Sequence, residues 1–210
     1  MKMLAISGSL RAQSTNTLLL RAAALIAPSP LDIVLYEELE TIPPFNPDLD
    51  VEPAFEAVSR LRAELRDSSA VLFSTPEYAH GIPGALKNAL DWVVGSGELS
   101  GKPVALFNAS IRSQHAQASL REIVKTMDAQ LLSEAEITIP LLGRDLNASE
   151  IAADPQFAAT ILASIQKIAD SLTMYSGAID GRPESAYNTS NSRSSYAARR
   201  RSPSHTSRNG

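Results

Sequence analysis

A polar segment near the amino terminus has the composition of an anion-binding loop. It follows a short apolar run and reads Ser-Gly-Ser-Leu-Arg-Ala-Gln-Ser-Thr-Asn-Thr, residues 7–17. A phosphate dianion needs several donors from different directions, and the amino terminus of a helix supplies free N–H groups and a favourable dipole. The side chains that could complete this set are the hydroxyls of Ser9, Ser14 and Thr17, the Asn16 amide and the Arg11 guanidinium.

The glycine content of this loop indicates a terminal monophosphate rather than a pyrophosphate. A dinucleotide-binding fingerprint has three spaced glycines and a P-loop ends in Gly-Lys-Ser/Thr, whereas residues 7–17 contain Gly8 alone. A second interpretation stays open at this point, in which Ser14 caps the helix and Asn16 and Thr17 are ordinary first-turn residues.

A second loop, residues 75–84, reads Thr-Pro-Glu-Tyr-Ala-His-Gly-Ile-Pro-Gly. Its prolines fix φ and its glycines allow close backbone approach, so the loop predicts a rigid ledge before a helix. Backbone N–H groups of such a ledge suit the edge of a flat heterocycle, and Tyr78 would add an aromatic wall. Two alternatives stay open: Tyr78 as a partly buried surface aromatic, and His80 as a catalytic acid or only a polar loop residue. A third loop, residues 108–115, is polar enough to line a site, but by itself it is only a weak indication of one.

Short apolar runs alternate along the chain with longer segments of helical periodicity. The predicted strands are Met3–Ser7, Leu31–Tyr36, Ala70–Ser74, Val104–Ala109 and Glu136–Ile139. The predicted helices are Asn16–Ala27, Pro53–Arg66, Pro83–Val94, Ala116–Leu132 and Ser149–Tyr175. Because parallel strands need long crossovers, which the helices supply, the pattern predicts an open, doubly wound α/β sandwich. In such sheets ligands bind beyond the carboxyl ends of the strands, where the three polar loops begin.

The amino-acid composition excludes several kinds of site and partner. The chain of 210 residues is 44% hydrophobic and 20% charged, which is typical of a globular domain. It contains no cysteine, which excludes disulfides, a thiolate nucleophile and sulfur-ligated metals, and its three separated histidines leave little for metal chemistry. A net charge of −4 gives no general attraction for nucleic acid or acidic membranes.

Both ends of the chain carry expectations of their own. The apolar start breaks at residues 7–9, too early for a signal peptide or a membrane span, which together with the lack of cysteine favours the cytoplasm. Residues 176–210 are rich in Ser and Arg, with six arginines against two acidic residues. We therefore expect one folded domain over residues 1–175 and a disordered basic tail over residues 176–210.

The loops, taken with the segment that follows the second one, resemble the NADPH-dependent FMN reductase family. The shared motifs are Gly-Ser-Leu-Arg at 8–11 with Ser14 and Asn16, Thr-Pro-Glu-Tyr at 75–78, and Pro-Gly-Ala-Leu-Lys-Asn-Ala-Leu-Asp-Trp at 83–92. The resemblance covers residues 1–175 in the order of the elements. It implies a flavodoxin-like three-layer sandwich with a five-stranded parallel sheet.

In that family the first loop holds the FMN phosphate and the Pro-Glu-Tyr loop meets the isoalloxazine ring. By resemblance, FMN would be bound by Ser9, Leu10, Arg11, Ser14, Asn16, Thr17, Pro76, Glu77, Tyr78, Ala79 through its backbone, and Ser110. The implied activity is hydride transfer from NADPH or NADH through FMN to a small acceptor, which is free flavin, a quinone, an azo compound or chromate. No catalytic side chain and no metal is implied. The resemblance also implies a homodimer or homotetramer, with the helix Pro83–Val94 as the candidate interface.

Two positions depart from the family pattern. Ala79 stands where an asparagine usually follows the tyrosine, and Gln114-His115 replaces a glycine pair. The second departure would reshape the pocket beside the ring, which leaves the class of acceptor open. Two other functions also stay open: a flavodoxin-type FMN carrier that exchanges single electrons with protein partners, and a flavin-free scaffold whose basic tail binds an acidic partner.

Overall fold

A parallel sheet lies between two layers of helices in the computed structural model, which describes residues 1–180, with side chains described as far as residue 173. The strands are β1 (Lys2–Ser7), β2 (Asp32–Tyr36), β3 (Ala70–Ser74), β4 (Pro103–Asn108), β5 (Gln130–Leu131) and β6 (Ile137–Thr138). Their order in the sheet is β2-β1-β3-β4-β5, and β6 also pairs with β4. The helices are α1 (Thr15–Ile26), α2 (Glu56–Asp67), α3 (Gly84–Val94), α4 (Gln114–Thr126), α5 (Ala148–Ala153) and α6 (Pro155–Asp180).

Alternate residues of the central strands build two separate cores. In β1, Met3 and Ala5 pack towards α1, α5 and α6, whereas Leu4 and Ile6 pack towards α2, α3 and α4. Strands β3 and β4 are buried along their whole length, as expected for parallel strands that are covered on both faces. The expected three-layer α/β sandwich is therefore confirmed.

The fifth strand position differs in detail from the expectation. Two short strands occupy it: β5, which pairs with Pro103 and Val104, and β6, which pairs with Phe107 and Asn108. The helix predicted over Ala116–Leu132 stops at Thr126, because Asp128 adopts a left-handed φ of 57°. The chain then turns back to the sheet, where the Asp128 carbonyl accepts a hydrogen bond from the Gly101 N–H at 2.7 Å.

The last helical segment, predicted as one helix over Ser149–Tyr175, is divided into α5 and α6. Pro155 causes the break, since proline disfavours helical geometry in the residue before it and is well placed to begin a new helix. The Asp154 carboxylate accepts hydrogen bonds from the N–H groups of Gln156 at 2.9 Å and Phe157 at 3.0 Å. This side chain therefore caps α6 at its amino terminus.

The carboxyl-terminal part of the chain is described only in part. Helix α6 continues to Asp180, so the first five residues of the expected tail are helical. The rest of that tail, with its basic run, lies outside the described residues. Among residues 1–180, no helix combines the length and the apolar character that a membrane crossing needs.

Tyr36, at the carboxyl end of β2, carries a buried hydroxyl that has no hydrogen-bond partner among the described residues. Burial, and secondarily the nearby Glu38 carboxylate, raises the pKa of Tyr36 to about 12. The folded state thus disfavours the phenolate relative to the unfolded chain, whose tyrosine ionises near pH ~10. The stability that this difference contributes is present below about pH 10 and is lost as the pH rises towards the folded pKa.

We expect Tyr36→Phe to increase the free energy of unfolding by about 1 kcal/mol at neutral pH, because it removes an unpaired buried hydroxyl. The gain should grow by a further ~1.3 kcal/mol by about pH 11, where the tyrosine of the unfolded parent is ionised and that of the folded parent is not. Urea unfolding of both proteins at the two pH values measures the effect. A gain that shrinks at the higher pH would show that the raised pKa is wrong.

Candidate functional site

Three loops meet at the carboxyl-terminal edge of the sheet because the strands that precede them, β1, β3 and β4, are neighbours. The register supports this, since Ser7 pairs with Ser74 and Ser74 with Phe107. The loops enclose an open cleft of about 330 Å³. It is lined by Ser9, Arg11, Ser14, Thr15, Asn16, Pro76, Glu77, Tyr78, Ser110, Arg112, Ser113 and Leu142.

Eight of the eleven residues expected at the cofactor lie in this lining. They are Ser9, Arg11, Ser14, Asn16, Pro76, Glu77, Tyr78 and Ser110. The other three are placed elsewhere. Leu10 and Thr17 line a neighbouring cleft of about 290 Å³ that shares Ser9 and Arg11 with this one. The Thr17 hydroxyl lies 2.7 Å from the Ser7 hydroxyl. Ala79 lies in the turn beyond Tyr78 and contributes no atom to the lining.

Gly8 allows the first and second loops to touch. Its N–H donates to the Ser74 carbonyl at 2.9 Å, which ties the end of β1 to the end of β3. A Cβ atom at this position would lie 2.3 Å from Thr75 Oγ1 and 2.9 Å from Thr75 Cβ, closer than non-bonded atoms approach. The cleft therefore depends on the missing side chain at position 8.

The amino terminus of α1 belongs to the lining of the cleft and carries free hydrogen-bond donors. Ser14 caps the helix, and its hydroxyl accepts from the Thr17 N–H at 3.4 Å. Within the described part of the chain, the N–H groups of Thr15 and Asn16 have no acceptor. The first turn contains no acidic side chain, so the positive end of the helix dipole is uncompensated. Capping by Ser14 and binding of an anion are therefore compatible.

Asn16 has a structural contact in addition to its place in the lining. It is buried, and its side-chain oxygen accepts a hydrogen bond from the Ser74 hydroxyl at 2.9 Å. This bond fixes the start of α1 against the end of β3. The Asn16 side chain thus positions the helix terminus whether or not its NH₂ group also contacts a ligand.

The charges around the cleft favour an anion. Arg11 and Arg112 are exposed, and neither guanidinium has an ion pair or hydrogen bond among residues 1–180. Glu77 is the one carboxylate in the lining, and it accepts a hydrogen bond from the Ala116 N–H at 3.0 Å in the first turn of α4. Sequence reasoning did not assign Arg112 to the site, although a second arginine after a central strand was an available signal. Leu142 gave no signal.

The second loop forms a tight turn beside the cleft. Tyr78 and Gly81 exchange two backbone hydrogen bonds of 3.0 Å, and the two residues between them, Ala79 and His80, have φ values of 49° and 59°. Two successive positive φ values are typical of a type I′ turn, which favours Asn-Gly. Tyr78, of whose surface 49% is exposed, is carried by this turn at the edge of the cleft.

We expect Ala79→Asn to stabilise the protein by about 0.5–1 kcal/mol, because asparagine tolerates the left-handed region better than alanine does. The matched control is Ala159→Asn on the exposed face of α6, where lower helix propensity should cost about 0.7 kcal/mol. Urea unfolding of the two variants and the parent tests the opposite signs. Equal losses at both positions would show that the turn at Ala79 stores no strain.

Known proteins resemble this chain in sequence and in fold. It is 38% identical over 143 residues to an NAD(P)H-dependent FMN reductase of Pseudomonas aeruginosa, a match that covers 66% of this chain and 77% of that protein. It is 32% identical over 142 residues to a quinone reductase of Escherichia coli, with 65% and 76% covered. Among solved structures it matches FerB, a flavoenzyme NAD(P)H:(acceptor) oxidoreductase of Paracoccus denitrificans, at 28% identity and a TM-score of 0.73, covering 82% of this chain and 97% of FerB. A flavodoxin from the domain Archaea shares the fold at 16% identity and a TM-score of 0.55, covering 82% of this chain and 99% of the flavodoxin.

The family match falls on the same part of the chain that builds the cleft. The sequence model for NADPH-dependent FMN reductase matches residues 1–141, which contain the whole sheet and all three polar loops. This match covers two thirds of the chain. It includes all the residues that line the cleft except Leu142. On these grounds the chain belongs to the NADPH-dependent FMN reductase family.

Proposed function

We propose that this protein is an FMN-dependent NAD(P)H oxidoreductase that reduces a small acceptor, with quinones foremost. The observation that carries the proposal is the meeting of an uncompensated helix terminus, two unpaired arginines and the Tyr78 turn in one cleft. The relatives that act on FMN and on quinones support the same activity. When bound, FMN supplies the redox chemistry, since no protein side chain can accept a hydride.

The donor set of the first loop fits the phosphate monoester of FMN. The Arg11 guanidinium, the hydroxyls of Ser9 and Ser14 and the free N–H groups at the start of α1 all belong to one wall of the cleft. Their combination of fixed dipole, neutral hydroxyls and one cation is what a dianion requires. We assign the phosphate to this wall, and Arg112 from the third loop adds a second positive charge nearby.

The second and third loops would hold the ring. Pro76 and the Tyr78 turn provide a stiff, half-exposed apolar edge that can pack against a flat heterocycle. In the third loop, the Ser110 N–H donates to Asn108 Oδ1 at 3.0 Å and the Ser110 hydroxyl accepts from the Arg112 N–H at 3.1 Å. These internal bonds fix the loop before any ligand arrives, which reduces the entropy lost on binding.

Anaerobic addition of NADPH to the FMN-loaded protein tests this function. We expect the visible absorption of the flavin to bleach, and subsequent addition of a benzoquinone to restore it. Free FMN at the same concentration is the control, and it should react far more slowly because nothing orients the two reactants. Bound flavin that keeps its colour with both NADPH and NADH would contradict the proposal and favour an electron carrier.

A homodimer or homotetramer is a further part of the proposal, with the carboxyl-terminal end of α3 at the interface. Val94 ends that helix with 48% of its surface exposed, and Phe55, 43% exposed, packs its ring against Trp92 of the same helix at a centroid distance of 5.8 Å. These exposed apolar side chains are the reason for choosing this end of the helix as the contact surface. Light scattering of the protein as it leaves a size-exclusion column measures the oligomeric state. A monomer at micromolar concentration would contradict the proposed oligomer.

A further inference from the structure

Two histidines that are 35 positions apart in the chain meet beside the cleft. His80 lies in the turn after β3 and His115 in the first turn of α4, and their rings stack with centroids 4.3 Å apart and planes inclined by 22°. Glu77 lies with them, and one ligand atom of each side chain falls within 4.8 Å of the others. The separation of the histidines in sequence argues against metal chemistry, but the fold brings two imidazoles and a carboxylate together.

The backbone holds all three residues in place. The paired hydrogen bonds between Tyr78 and Gly81 fix the turn that carries His80. The bond from the Ala116 N–H to Glu77 Oε2, at 3.0 Å, joins the second loop to the helix that carries His115. A hydrogen bond therefore joins the second loop to α4 at this point, and the backbone that carries the three side chains is held in place.

The donor types select the class of ligand. Two imidazole nitrogens and one carboxylate oxygen suit Zn²⁺ and related first-row divalent ions, whereas Mg²⁺ prefers oxygen alone. One Glu77 oxygen is occupied by the helix N–H, which leaves the other free, and a ligating carboxylate is commonly held by such a second bond. We propose that Glu77, His80 and His115 form a site for a divalent transition-metal cation at the rim of the cleft.

Binding requires a small change of side-chain geometry. Zn²⁺ ligands lie about 2.0–2.2 Å from the ion, so atoms as far as 4.8 Å apart must approach, and stacked rings must turn their nitrogens towards a common point. Both histidines are exposed, so their rings can rotate without disturbing the core. Three protein ligands leave the fourth tetrahedral position to water. The site requires only the two loops and does not depend on bound flavin.

Calorimetric titration of the full-length, untagged, FMN-loaded protein with Zn²⁺ tests the site. We expect saturable binding of one ion per chain and a loss of about tenfold or more in affinity for both His80→Gln and His115→Gln, since loss of a ligand costs at least as much as loss of an outer-sphere partner. The matched control is His205→Gln, which removes the remaining histidine of the chain, and its affinity should equal that of the parent.

The structural readout is anomalous diffraction from a crystal soaked in Zn²⁺, with a peak expected between the three side chains. Thermal unfolding of the two histidine variants establishes that they are folded, which their surface positions favour. Unchanged Zn²⁺ affinity in both variants, or a peak located elsewhere, would overturn the proposal. Failure of the NADPH reaction with intact Zn²⁺ binding would contradict the proposed function and leave this site standing.

Discussion

Replacing Arg11 and Ser14 together by alanine is expected to weaken FMN binding about a hundredfold and to change riboflavin binding by less than about threefold. Hydrogen bonds to a charged group contribute about 1.5–3 kcal/mol each, so two lost donors correspond to ~3 kcal/mol, or roughly two powers of ten in affinity. Riboflavin has the ring but no phosphate, and it makes neither contact. Quenching of flavin fluorescence on titration gives both dissociation constants.

Ser14 also caps α1, so the alanine variant carries a second effect. Loss of the cap should cost about 1 kcal/mol of stability. Ser14→Asp separates the two roles, because aspartate keeps a capping oxygen and brings a negative charge to the wall that we assign to the phosphate. We expect this variant to retain the parent's stability within about 0.5 kcal/mol and to lose FMN as strongly as the double alanine variant does. Equal losses of FMN and riboflavin would contradict the phosphate assignment.

The sequence was sufficient for the architecture because the signals there are local and repeated. Strands such as Ala70–Ser74 are short apolar runs that end in polar loops, and the structure places β3 at those bounds. The fifth strand position was the exception. Its two strands have two residues each, too few for a periodic pattern, and the left-handed residue that ends α4, Asp128, is neither glycine nor asparagine.

The sequence was enough to predict which loops form the site, but not which side chains contact one another there. Parallel topology brings together the segments after β1, β3 and β4, whatever their side chains do. The direction of each side chain is decided by its neighbours in space. The Thr17 hydroxyl pairs with Ser7, Glu77 holds the first turn of α4, and Arg112 reaches the lining. Ser7 and Thr17 are 10 positions apart and Glu77 and Ala116 are 39 apart, so no local periodicity of the sequence reveals these pairs.

Gly8→Ala is expected to destabilise the protein by about 2–3 kcal/mol and to weaken FMN binding at least about tenfold, because overpacking at a rigid contact moves the backbone. Thr75 is fully buried, so neither its Oγ1 nor its Cβ can move away from the added methyl group without shifting the second loop. The first loop must then separate from the second, and the two walls of the cleft separate with them. Urea unfolding and fluorescence titration measure the two losses.

A second substitution at the contact tests the cause. Thr75→Ala removes the oxygen at 2.3 Å and leaves a carbon at 2.9 Å, so Gly8→Ala should cost about 1 kcal/mol less on that background. Gly84→Ala is the matched control: apart from its chain neighbours and the backbone of its own helix, no atom lies within 4 Å of the added Cβ, and alanine at the start of α3 should be neutral or stabilising. If Gly8→Ala cost the same on both backgrounds, the clash with Thr75 would not be what requires glycine. The coupling between positions 8 and 75 therefore decides whether contact between the two loops, rather than the flexibility of glycine, shapes the cleft.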